Sequence, residues 1–377
     1  MQNIITLFIL SFFLFGCTTS FIKLEYKLTE SDITQYGLST DKNFFVDLPF
    51  RDSLKLKYTF STHGSFRNNS FIAANQYLFV NDISGRVYCF DLENGKTKGL
   101  LIYKGSVLIS PVLMKNVLVF VNSIRNTNLS EIIFYDLFNG RELHSVEIEG
   151  KVHTELLLLD DGVVVLTSTG KLIKFGFRGE YLFNKSLNSF SKSNLLLHND
   201  KIIVCTAKGE ICFFNSSSGN LIRKENICST LLNNGLIIDN NLFISDNEGK
   251  IFKLDLENYK VIKTHKLKGE FLAPPVADKK NIFFSNLNGE ISCYYLEDFS
   301  HKWTRKVGDL IQAAPLLLNN LLIVPDLKRT LLFIDSSTGN EVRRIEFEKR
   351  VKLTPLFYNN LLFIGLDDGE IYVYENL

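Results

Sequence analysis

Twelve side chains in this sequence have the chemistry of a nucleophile or a soft metal ligand. They are Cys17, Cys89, Cys205, Cys212, Cys228 and Cys293, with His63, His144, His153, His198, His265 and His301. Their spacing does not organise that chemistry. No two cysteines are adjacent or form a CxxC pair, and no histidines stand at the short intervals a zinc site uses. Two acidic pairs, Asp160-Asp161 before Gly162 and Asp367-Asp368 before Gly369, offer carboxylates side by side. Asp followed by Gly is also the composition of a tight turn, and both pairs are expected to be turns. A Gly-x-Ser-x-Gly elbow and a phosphate-binding loop are both missing from the sequence. No catalytic residue, cofactor or metal ligand is assigned, and the chain is expected not to be an enzyme.

Cys17 is a separate case. It closes the apolar run "MQNIITLFILSFFLFGC", which is too short to span a bilayer and fits the core of a signal peptide. Leu14-Phe15-Gly16-Cys17 resembles the bacterial lipobox, in which the cysteine after a small residue is acylated and becomes the mature N-terminus. Several acyl chains on one residue would give a stable anchor. By the same resemblance, Thr18 after the cysteine points to the outer membrane, with the protein on its periplasmic face. The other five cysteines are an odd number, and no disulfide framework is expected. Cys89 and Cys293 occupy the same place in two copies of a repeat, where a small buried apolar side chain is needed.

That repeat is what must position everything else. The stretch "DNEGKIFKLDLEN" at 246–258 returns along the chain at Gly85, Gly170, Gly209, Gly249, Gly289 and Gly369, and without the glycine at Ser130 and Arg329. The eight points lie 45, 40, 39, 40, 40, 40 and 40 residues apart, a period that marks a repeat architecture. Each copy carries an apolar segment often opened by Pro, an apolar strand such as "LFIS", a polar turn, a β-branched and aromatic strand such as "KIFKLD", and a more polar last strand. Four strands per unit, apolar inside and polar last, predict an all-β, eight-bladed β-propeller. The final copy stops one strand short. "SLKLKYTF" at 53–60 is expected to supply that strand and close the ring from the N-terminal side. The domain reading is a signal peptide over 1–17, a tether over 18–45 and the propeller over 46–377.

Forty-two basic against forty-one acidic residues leave a net charge of +1, so no field for holding nucleic acid is present. Strand order puts the turns with the reference glycines and the blade-to-blade connections on one rim. That rim also carries the two longest variations, "NSIRNTNLSE" at 122–131 and the connection "NKSLNSFSKSN" at 184–194.

"DISGRVYCFDLENG" at 82–95 is a near-complete copy of the quinoprotein (PQQ-type) propeller repeat. With the lipobox, the length and an eighth blade closed from the N-terminal side, the chain resembles the BamB family of outer-membrane assembly lipoproteins. The resemblance implies a non-catalytic scaffold that binds a BamA-like barrel-forming subunit and helps nascent outer-membrane proteins fold and insert. It also places the partner-binding patch on the connection into the fourth blade. Leu187 and Phe190 supply apolar groups there, and the arginine expected beside them is absent. Arg125 on the same rim is the third candidate contact. Of the tryptophan that the repeat carries fourteen positions after the reference site, this chain keeps one, Trp303. Two alternatives stay open: a periplasmic propeller that holds a small ligand or polysaccharide over its channel, and a quinone-dependent dehydrogenase. Dehydrogenases of that kind resemble one another in adjacent cysteines against the cofactor and a Glu, Asn and Asp calcium site, and no Cys-Cys pair occurs here.

Overall fold

The computed structural model describes residues 21–50, 53–67 and 69–377. Eight antiparallel sheets follow one another in chain order. In blade 1 the strands, from the channel outward, are A (Ile72–Ala74), B (Tyr77–Asp82), C (Arg86–Asp91) and D (Lys96–Ile102). The other blades repeat this at the expected positions, so the eight-bladed reading holds. Strands B and C are buried along almost their whole length, as in Val117–Ile124 of blade 2, because each sheet is sandwiched between two others. The D strands alternate or stay exposed, which is why they alone could be polar.

Ring closure follows the sequence reading. Leu54–Ser61 pairs antiparallel with Glu370–Asn376, from Leu54↔Asn376 to Ser61↔Glu370, and becomes the outer strand of blade 8. Its Phe60 stacks on Phe90 of blade 1 with centroids 4.2 Å apart, so the closing strand also bonds the last blade to the first.

The B–C turn shows why glycine recurs. Asp82 accepts hydrogen bonds from the N–H groups of Ser84 and Arg86, and the chain then reverses through Gly85 at φ +89°. A Cβ there would sit 2.4 Å from the Tyr103 carbonyl oxygen of the connection into blade 2. The two copies without glycine solve the turn differently. Blade 2 spends its five extra residues on a longer hairpin, Val117–Ile124 with Leu129–Asp136. Blade 7 forces Arg329 to φ +72°. Gly85→Ala is therefore expected to cost at least about 1–2 kcal/mol, and Arg329→Gly to be neutral or stabilising. Chemical denaturation of the two variants measures both.

The tether reading of residues 18–45 needs correction. From Phe21 onward the chain is docked. Ile22 and Leu24 are buried between blades 1 and 2, and Ile22 N–H donates to Tyr135 Oη at 3.0 Å. The reason lies in the repeat itself. In blades 8, 2, 3 and 6 the D strand sends a side chain onto the C–D turn of the next blade: Tyr58 onto Gly95, His144 onto Gly179, Phe183 onto Gly219 and Trp303 onto Gly339. Blade 1 has Gly99 at that position, and the vacant slot takes Phe21 and Ile22 instead. The segment then crosses the A–B turns and enters the channel. Ile33 bridges Ala73 of blade 1, Leu113 of blade 2 donates to Thr34, and Phe45–Val46 forms a short parallel strand with Leu317 and Leu318 of blade 7. Phe44 is fully buried there, edge-on to Tyr36.

Candidate functional site

The channel is the one place where every blade meets, and its chemistry comes from positions at the head of each A strand. They form a relay of side chain to backbone. Ser70 N–H donates to Ser110 Oγ (3.1 Å), Ser110 N–H to Glu155 Oε2 (2.7 Å), Glu155 N–H to Asn194 Oδ1 (2.9 Å) and Asn194 N–H to Asn234 Oδ1 (2.8 Å). Asn234 Nδ2 then donates to the Leu272 carbonyl, and on the other side Thr354 N–H donates to the Asn69 carbonyl. Linked residues lie 40, 45, 39 and 40 apart in sequence, which is the repeat period. The signal was legible as polar residues at one repeat position, but only the closed ring brings them within bonding distance.

Beside Glu155 of this ring lies a second buried ionisable side chain. Lys42 is 1% exposed, and its Nζ donates to Gln35 Oε1, the Tyr36 carbonyl and the Leu156 carbonyl at 3.1–3.3 Å. Burial lowers the Lys42 pKa, and the charge of Glu155 opposes that shift. Burial raises the Glu155 carboxyl, against the Ser110 hydrogen bond and the Lys42 charge. Sequence reasoning assigned neither residue, because Lys42 fell in the presumed tether.

Above the pair, on the rim of the B–C turns, opens a cup of ≈ 170 Å³. Its lining includes Tyr36, Arg67, His153, Glu155, Lys192 and Gln312. Arg67 Nη1 stands 3.3 Å from His153 Nδ1, and burial followed by the Arg67 and Lys151 charges lowers the His153 pKa. A calcium site of Glu, Asn and Asp, with a quinone above it, does not fit this cup. Glu155 lies in the field of the Lys42 cation, and the carbonyl oxygens of Asn194 and Asn234 are spent on backbone N–H groups. Among the described residues no three His, Cys, Asp or Glu side chains converge. Burial raises the thiols of Cys89, Cys205 and Cys293, those of Cys205 and Cys293 to about 12, and the five described cysteines are free.

The three rim residues share one face of the ring but not one cluster. Arg125 tips the long hairpin of blade 2 and is exposed. Leu187 and Phe190 lie on the connection from blade 3 to blade 4. Leu187 is half-buried, with its N–H donating to the Gly170 carbonyl. Phe190 is 47% exposed, held by the Ala207 N–H on its carbonyl. Between these two sites runs the connection at Gly150-Lys151, whose Lys151 Nζ donates to the Ile124 and Leu129 carbonyls. Cys17, the lipidation residue read from the sequence, lies outside the described residues.

A family model described as outer membrane protein assembly factor BamB matches residues 104–305, more than half of the chain. The chain belongs to the BamB family. Solved structures agree on the fold at low identity. BamB from Moraxella catarrhalis is 12% identical with a TM-score of 0.70, over 86% of this chain and 100% of that one. A europium-containing methanol dehydrogenase is 10% identical with a TM-score of 0.73, over 92% and 98%. A quinohemoprotein alcohol dehydrogenase from Comamonas testosteroni is 9% identical with a TM-score of 0.76, over 91% and 80%. No curated protein matches this BamB-family chain in sequence. Its propeller is thus shared with enzymes, and function must be argued from the surfaces.

Proposed function

We propose that this chain is a non-catalytic scaffold of the outer-membrane β-barrel assembly machinery. Cys17 would anchor it at the periplasmic face of the outer membrane. It would bind a BamA-like barrel-forming subunit and assist nascent outer-membrane proteins as they fold and insert. The observation that carries this reading is membership of the BamB family. Two features of the molecule support it. The channel, where a substrate would have to reach a cofactor, is occupied by residues 33–46 of the same chain. The Glu155, Asn194 and Asn234 side chains of the cup accept hydrogen bonds from backbone N–H groups.

Recognition on this reading takes place on the rim of the B–C turns. A partner contact of ordinary size buries roughly 800 Å² on each side, and a few aromatic or Arg anchors hold most of the energy. Phe190 is the best placed anchor because its ring stands free on a connection fixed at both ends. Phe190→Ala is expected to weaken capture of the barrel-forming subunit by about 2 kcal/mol, roughly 30-fold. Arg125→Glu should slow association, and Leu187→Ala should act partly through stability because Leu187 packs into the core. Co-purification in mild detergent from the native envelope tests the assignment; unchanged recovery with all three substitutions would sink it.

A second reading keeps one observation in its favour. The cup places Arg67, His153 and Lys192 around a polar opening, which suits a small anionic or hydroxyl-rich ligand. Recovery of such a ligand with the purified protein, and no assembly subunit, would favour it.

A further inference from the structure

We propose that the edge of the ring formed by the C–D turns and D strands of blades 2 to 4 rests on the membrane surface, held there by a very short leash. The inference deepens the reading of Cys17 as a lipid anchor and rests on it. If Cys17 bears the acyl chains, three residues separate it from Phe21, and four chain steps reach roughly 14 Å at most. Phe21 is not at the end of a long tether. Its carbonyl accepts the Leu100 N–H on the D strand of blade 1, and Ile22 and Lys23 pack against the C–D turn of blade 2 at Gly140. The lipid attachment point must then lie within that distance of the wall between blades 1 and 2.

The surface beside that point is unusual in one repeated position. In every blade the C–D ladder carries a bulge, so that one D-strand residue has no partner opposite it. In blades 1, 6 and 8 that residue is Lys98, Lys302 and Lys57, the kind of charge that keeps an edge strand from pairing. In blades 2, 3, 4 and 5 it is Leu143, Leu182, Ile222 and Ile262, and in blade 7 it is Val342, all exposed; blades 2 to 5 form the unbroken run, and its first three blades lie on the side of the attachment wall. Phe138, in the turn that holds Lys23, is 53% exposed, and Tyr181 and Leu221 extend the apolar strip along the same edge. Lys23, Lys115, Arg141 and Arg178 are exposed near it, with the carboxylates of Glu142 and Glu180 exposed among them. Apolar groups with charged residues at their border suit a phospholipid interface, where rings and leucines enter the headgroup boundary and the charges stay at headgroup level. The opposite rim, with Arg125 and Phe190, would then face away from the bilayer towards a periplasmic partner.

The test uses the full lipidated chain in vesicles of phosphatidylethanolamine and phosphatidylglycerol with brominated acyl chains. Trp303 is the one native indole and lies on blade 6, away from the strip. Phe138→Trp in a Trp303→Phe background places the reporter at the strip, and the unaltered chain serves as the distant control. The expected result is a blue shift and loss of emission for the introduced indole, with Trp303 unaffected. Leu143→Lys with Leu182→Lys should remove that difference while the protein still floats with vesicles and keeps its Tm, since lysine already occupies the same position in three blades. Flotation with the introduced indole left open to iodide overturns the proposal while leaving the anchor intact. Failure to float, with no acyl mass on Cys17, overturns the anchor reading and this one with it. Burial of the indole in unacylated protein that grows with concentration would assign the strip to a second copy and overturn docking on lipid.

Discussion

Lys42→Met is expected to destabilise the protein by about 1–3 kcal/mol or more, the usual cost of leaving buried polar groups without their partner. The substitution keeps the length of the side chain but leaves three acceptors, Gln35 Oε1 and the Tyr36 and Leu156 carbonyls, without their donor. It also removes one of the two cations, Lys42 and Arg67, that offset the burial of the Glu155 carboxylate. Because Lys42 joins the N-terminal segment to blade 3, the loss should appear first as release of residues 33–46 from the channel and only then as unfolding of the ring. Hydrogen exchange at Ile33, Leu113 and Leu317 reports the first step, and denaturant titration reports the second. Adding Glu155→Gln should recover part of the loss, since an amide can still accept from Ser110 N–H without a buried charge. The pair also sets a pH dependence. The folded Glu155 keeps its proton to higher pH than an unfolded glutamate. Its contribution is therefore fully present below about 4.5, the ordinary value, and is lost as pH rises through the folded value. Glu155→Gln should flatten that fall. A Lys42→Met protein as stable as the parent would show that the pair contributes nothing net.

The second large effect concerns ring closure. A chain beginning at Thr62 lacks both the channel segment and the outer strand of blade 8, and is expected to lose cooperative unfolding and to associate. Three bonds to the rest of the ring go with that strand. They are its ladder to Glu370–Asn376, the Phe60–Phe90 stack, and the Tyr58 hydroxyl on the Leu92 carbonyl. Glu370–Asn376 would become a bare edge backed by buried Ile371 and Val373, the kind of strand that pairs with other copies. Phe60→Ala alone should cost about 3–5 kcal/mol, as for other buried phenylalanines. The control for the truncation follows from the topology. Leu377 N–H already donates to the Ser53 carbonyl, and Leu54 faces Asn376 across the ladder. Attaching residues 53–61 after Leu377 through a short turn should restore a monomeric ring, read by light scattering and thermal unfolding. If that permuted chain behaved like the truncated one, the channel segment rather than the strand would be what holds the ring together.

Much of the fold was legible because a propeller blade is a local object. Its four strands are consecutive, each turn is written in Asp, Asn and Gly, and burial of B and C against D appears directly as apolar and polar strands. The candidate site was less legible. Leu187 and Phe190 could be placed on a rim from strand order alone, yet the half-burial of Leu187 and the gap between Phe190 and Arg125 depend on how the connections fold over the neighbouring blades. The bulged positions Leu143, Leu182 and Ile222 looked like ordinary members of polar strands. Only the ladder register marks them as unpaired and outward.

By itself the sequence determined the period, the number of blades and the strand that closes the ring, since each is a pattern within forty residues or a match between the two ends. Tertiary structure alone decided the fate of residues 21–46. That stretch has no periodicity, and its affinity for the ring lies in vacancies elsewhere: the slot left by Gly99, the open edges of the A strands, and the buried carboxylate of Glu155. A segment read from its own composition is a tether; a segment surrounded by eight blades with unfilled hydrogen bonds and an empty axis becomes their core.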